Sequence, residues 1–108
     1  MEKLIEFLKE FENFIKKYHA KYDESLKKYR LMLQTGEELK IKEALSELDV
    51  YAFGGMGTLQ DLQISKESGH LIEEKDEKKV NNLLEKNVKN LQGLLVAVSG
   101  PRPKRKII

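Results

Sequence analysis

The chain predicts a mainly α-helical single domain: a long N-terminal helix, a second helix and a long C-terminal helix, with a glycine-rich loop and a short β-hairpin. Three observations carry that prediction. Apolar residues recur at helical spacing through the first third, and again from Val80 to Val98. Between these stretches lies Phe53-Gly54-Gly55-Met56-Gly57-Thr58, which has three glycines in four positions. A chain of 108 residues has room for one hydrophobic core. The expected organisation is one helical domain over 1–100 and a basic flexible tail over 101–108.

In the first element, Leu4, Leu8, Phe11, Ile15, Tyr18, Tyr22, Leu26, Tyr29 and Leu33 form an apolar stripe, with Ile5, Phe7 and Phe14 on its flanks. The mean step is about 3.6, the period of a straight α-helix. No Pro or Gly interrupts the run before Gly36, so a helix is expected over roughly 2–34. Straight, it would be about 50 Å long, against a radius of gyration of about 13 Å for a compact domain of this size. Either the molecule is elongated or the helix bends, with His19–Ser25 as the place. In the elongated case a symmetric homodimer would cover the protruding apolar face.

Gly36 suits a helix stop, and Thr35 with Glu38 has the spacing of a capping box for the next helix. Leu39, Ile41, Ala44, Leu45, Leu48 and Tyr51 carry a looser stripe to about Ala52. The glycines then end the helix, since they permit positive φ and close backbone approach. Leu62-Gln63-Ile64 and His70-Leu71-Ile72 flank Ser65–Gly69, the pattern of a short β-hairpin. The last helix runs from about Glu74 to Val98, with Val80, Leu83, Leu84, Val88, Leu91, Leu94, Leu95 and Val98 on one face. Gly100-Pro101 closes it.

The string Phe53-Gly54-Gly55-Met56-Gly57-Thr58-Leu59-Gln60-Asp61-Leu62, with Gly69-His70 after it, resembles the central signature of an uncharacterised family of small bacterial proteins. That signature is F-G-G-M-G-[ST]-x-[NQ]-D-L, then G-H; Gln60 stands where Asn is more typical. The resemblance covers about twenty residues strongly and implies a bacterial or phage origin and a mostly helical fold built around the loop.

Charge is distributed unevenly. Residues 1–36 carry 8 basic and 6 acidic side chains, 37–67 carry 3 and 7, 68–100 carry 5 and 5, and 101–108 carry 4 and 0. The basic excess lies in the tail, and the body is slightly acidic, so a folded nucleic-acid surface is not expected. Arg102, Lys104, Arg105 and Lys106 would give only weak, salt-sensitive phosphate contact. The longest apolar run, Leu94–Val98, is five residues where a membrane span needs about twenty. The first helix mixes Lys and Glu on its polar face, which argues against lying on a bilayer. No secretory signal opens the chain and it has no cysteine, so a cytoplasmic location is expected.

Candidate chemistry centres on the glycine loop. Backbone amides at Gly55, Met56 and Gly57 with the Thr58 hydroxyl form a candidate anion cradle, but no P-loop lysine follows and the surroundings from Glu37 to Asp61 are acidic. A tight buried turn plugged by Phe53 and Met56 is the simpler expectation. Asp61, Ser65, Ser68 and His70 are close enough in sequence for a hydrolytic set, without a nucleophile elbow. His19 and Asp23, four apart on an expected helix, supply two metal ligands and no third. Neither cofactor nor metal is expected. The reading that remains is a small non-enzymatic protein-interaction module of a bacterial or phage system, immunity- or antitoxin-like or regulatory. Its contact residues would be Phe53, Gly54, Gly55, Met56, Gly57, Thr58, Asp61 and His70. Anion binding by the loop and weak nucleic-acid binding by the tail are the alternatives.

Overall fold

A computed structural model describes residues 1–20, 22–54 and 62–99. Four α-helices account for most of them: α1 (Glu2–Lys17), α2 (Asp23–Gln34), α3 (Glu38–Phe53) and α4 (Glu77–Ser99), the last preceded by a 3-10 turn at Glu74–Asp76. Each packs on two neighbours, α1 on α2 and α4, and α3 on the same two. The core is where the stripes place it. Leu4, Leu8, Phe11 and Ile15 of α1 meet Leu26, Tyr29 and Leu33 of α2, Ala44, Leu48 and Ala52 of α3, and Val80, Leu84, Val88, Leu91 and Leu95 of α4.

The N-terminal stripe therefore belongs to two helices, and of the two expected arrangements the interrupted one is found. The longest dimension of the molecule is 42 Å, shorter than a straight 2–34 rod would be. The interruption is a Schellman cap. Tyr18 is the C-cap of α1, His19 follows in the left-handed conformation (φ +57°), and Ala20 is buried. The Ala20 amide donates to the Ile15 carbonyl (3.3 Å) and the His19 amide to Lys16 (3.0 Å). Glycine usually fills this position; histidine is among the residues that tolerate it. From the turn α2 doubles back along α1. Arg30 Nε donates to Glu12 Oε2 at 3.0 Å, with both side chains about one-seventh exposed. The protruding first helix that motivated a homodimer is absent.

The α2–α3 junction follows the expected stop and modifies the expected cap. Gly36 is left-handed (φ +73°). The Thr35 hydroxyl donates to the Met32 carbonyl (2.7 Å) and accepts from the Glu37 amide (3.2 Å). No capping box forms, because Glu37 is the N-cap and makes no side-chain cap bond. The stripe expected on α3 is corrected at one end, where Leu39 is 81% exposed. Between α2 and α3 the tyrosines cluster. Tyr51 stacks edge-on against Tyr29 and Tyr22, with ring centroids 5.4 and 6.2 Å apart, and its hydroxyl donates to Ser25 (3.0 Å). Burial, then the neighbouring Tyr51 and Glu47, hold the Tyr29 hydroxyl well above the usual tyrosine value.

The β-hairpin is not formed, and the described residues contain no strand. Backbone groups of Ile64 and Leu71, which in a hairpin would face the opposite strand, bond elsewhere. Asn81 of α4 grips Ile64 from both sides: its Oδ1 accepts from the Ile64 amide (2.8 Å) and its Nδ2 donates to the Ile64 carbonyl (2.9 Å). The Leu71 amide donates to the carbonyl of Tyr18 at the end of α1 (2.9 Å). Only the tip closes on itself, through the His70 amide and the Ser65 carbonyl (3.1 Å), with Gly69 at φ +86°.

Candidate functional groove

Two anchors decide where the 62–73 segment lies. Ile64 is fully buried and held by Asn81, whereas Leu71 is tied by its amide to the α1 turn and the residue is 62% exposed. The segment thus forms one wall of a groove whose other walls are the end of α1 and the first half of α4. The groove encloses 660 Å³ and is lined among others by Tyr18, Leu71, Ile72, Lys79 and Leu83. Leu83 belonged to the expected core face of α4, yet it is 44% exposed and turns toward this groove instead.

Tyr18 is held from behind by an edge-to-face contact with Phe14 (5.5 Å), and the Lys17 ammonium lies 5.6 Å from its ring centroid. Beside the groove, Lys75, Lys78, Lys79 and Lys86 surround Asn82 and Leu83 in an adjoining concavity, which shares Lys79 and Leu83 with the first. Positions 75, 78, 79, 82 and 86 follow the helical repeat and so share a face. Lys75 pairs with Glu73 (3.2 Å). Among the described residues no carboxylate pairs with Lys78, Lys79 or Lys86, as is true of most exposed lysines of the chain; what sets these three apart is that they share one helix face beside the groove.

Of the residues singled out from sequence, some fall in the described structure and the rest outside it. Phe53 ends α3 and packs on the core edge, and Gly54 caps it at φ −75°, without left-handed backbone. Gln92 of α4 donates to the Ala52 carbonyl just before it. Gly55, Met56, Gly57, Thr58 and Asp61 lie outside the described residues, as do Arg102, Lys104, Arg105 and Lys106. His70 is half-buried, and its Nδ1 accepts from the Ser65 amide (3.0 Å). The Ser65 hydroxyl donates to Ser68 (2.9 Å) and accepts from the Ser68 amide (3.2 Å). The hydroxyl proton thus goes to Ser68 rather than to the imidazole, and these bonds shape the turn. His19 and Asp23 do not share a helix face, since the helix breaks between them.

Sequence reasoning passed over Lys75, Lys78, Lys79 and Lys86 because segment 68–100 sums to zero charge. A helical projection of 75–86 is the signal that finds them. No protein-family model, no curated protein and no solved structure matches the chain.

Proposed function

We propose that this protein is a non-enzymatic protein-interaction module, and that a partner docks in the groove between the α1 turn, residues 71–73 and α4. The observation that carries this reading is the pair of leucines, Leu71 and Leu83, exposed together along one groove. Exposed leucines scattered singly are ordinary; apolar side chains gathered in one concavity with a polar rim mark a contact surface. Binding is favoured over catalysis because His70 and Ser65, the described members of the hydrolytic set considered from sequence that bond to each other, are engaged in the turn preceding Leu71.

A photo-crosslinking amino acid placed at position 71 or 83, and at exposed Lys42 on α3 as control, tests the reading in cells producing the protein at native level. A discrete adduct with a second protein from 71 and 83, absent from 42, is expected. No adduct, or the same adducts from all three positions, overturns it.

A further inference from the structure

We infer that the segment docking in this groove is acidic, carrying apolar anchors for Leu71 and Leu83 and carboxylates for the lysine face of α4. The inference rests on the docking reading above and adds the partner's chemistry. Lys79 and Leu83 line both concavities, so the apolar groove opens directly onto the cations and one short segment reaches both. Lys86 has Asn82, Leu83, Lys89 and Asn90 at its helical neighbour positions, so α4 itself offers it no carboxylate. Lys78 and Lys79 sit in the first turn of α4, where the helix dipole favours acidic side chains and disfavours basic ones. Unpaired cations in that position weaken the isolated helix, and an acidic ligand would relieve both their mutual repulsion and the dipole mismatch.

The same face argues for a protein segment over a continuous polyanion. Glu73 and Asp76 line the groove among the lysines and would oppose a phosphate backbone or an anionic bilayer pressed across it. A peptide places its charges selectively and brings apolar side chains for the two leucines. Phosphate backbones have none to offer.

The test uses the full ¹⁵N-labelled chain and a short amidated probe peptide with leucines at helical spacing among glutamates, next to the same peptide with every Glu replaced by Gln. At low ionic strength the acidic peptide is expected to bind about tenfold more tightly, equivalent to about 1.4 kcal/mol. The advantage should shrink as salt screens exposed charges and vanish in the Lys78→Gln/Lys79→Gln/Lys86→Gln variant. These three side chains are exposed, so circular dichroism should show an intact fold. Shift changes should centre on Tyr18, Leu71 and Leu83. Equal affinity for the two peptides, with binding lost in Leu71→Ser/Leu83→Ser, overturns the acidic partner and leaves the docking surface standing. Shift changes from neither peptide at the groove overturn both. Tighter lysine-dependent binding of mixed phosphatidylcholine–phosphatidylserine vesicles, or of a short DNA duplex, overturns the inference in favour of that surface.

Discussion

Replacing His19 by glycine should stabilise this protein, although glycine is normally the poorest residue short of proline to place in a helical stretch. His19 is exposed and left-handed, at φ +57°. An L-residue held there costs about 1–2 kcal/mol through the clash of its Cβ with the following carbonyl. Glycine removes that cost but frees the unfolded chain by about 0.5–1 kcal/mol. The difference leaves a gain of about 0.5–1 kcal/mol for His19→Gly, with no packing lost. In urea denaturation followed by circular dichroism this raises the midpoint by about 0.3–0.7 M at a typical slope for a small domain. His19→Ala keeps the Cβ and should leave the midpoint nearly unmoved. A continuous 2–34 helix inverts the pattern: glycine would then cost several tenths of a kcal/mol, and alanine, the best helix former, would gain roughly 0.5 kcal/mol. That inverted pair of signs refutes the Schellman turn.

Asn81→Leu removes both side-chain bonds to Ile64 and should cost about 2–3 kcal/mol, since each lost bond also leaves a backbone group of a buried residue unmet. Hydrogen exchange at the Ile64 amide should accelerate more than at Leu91. Two glycines should respond in opposite directions, although neither has an atom within 4 Å of an added Cβ. Gly36→Ala, at φ +73°, loses roughly 1 kcal/mol to backbone strain, whereas Gly93→Ala within α4 gains about 0.5–1 kcal/mol; urea midpoints check both. Because burial raises the Tyr29 value above the ordinary 10.0, the unfolded chain releases that proton first. The associated stability is whole below about pH 10 and is lost as pH rises toward the folded value. Midpoints measured from pH 9 to 11 should therefore fall, and Tyr29→Phe should flatten the fall.

Much of the core was legible because burial on a helix repeats every 3.6 residues whatever the tertiary arrangement. Leu4 through Leu33, and Val80 through Leu95, reach the interior largely as their spacing implies. Whether the 2–34 stripe is one straight helix or bends at His19–Ser25 was left open by the spacing, since the apolar phase runs through the turn between α1 and α2 and histidine replaces the glycine that would have signalled it. Residues 62–72 looked like a hairpin because their alternation is that of strands. What overrides it is a side chain seventeen positions away, Asn81, which satisfies the Ile64 backbone in a strand's stead, and local patterning carries no trace of such a partner. Leu83 sat in phase with the α4 core yet faces the groove, since a stripe wider than its neighbours can cover leaves its margin outside. The lysine face was hidden by arithmetic, five positive and five negative charges cancelling in the segment although Lys78, Lys79 and Lys86 pair with none of the described carboxylates. Of the expected contact residues, Phe53 packs on the edge of the core and His70 accepts from the Ser65 amide.

Fixing the 62–73 segment at Ile64 and Leu71 leaves its tip, Lys66 to Ser68, exposed and outside either attachment. Extra residues spliced between Glu67 and Ser68 would give up the Ser65–Ser68 and Gly69–Lys66 bonds of the tip but leave the bonds of Asn81 to Ile64 and of Leu71 to Tyr18 outside the insertion, with the modest entropic cost of a longer loop added. A fluorophore or affinity handle built in at that point would therefore stand beside the groove as a reporter of occupancy, without touching any residue that forms its walls.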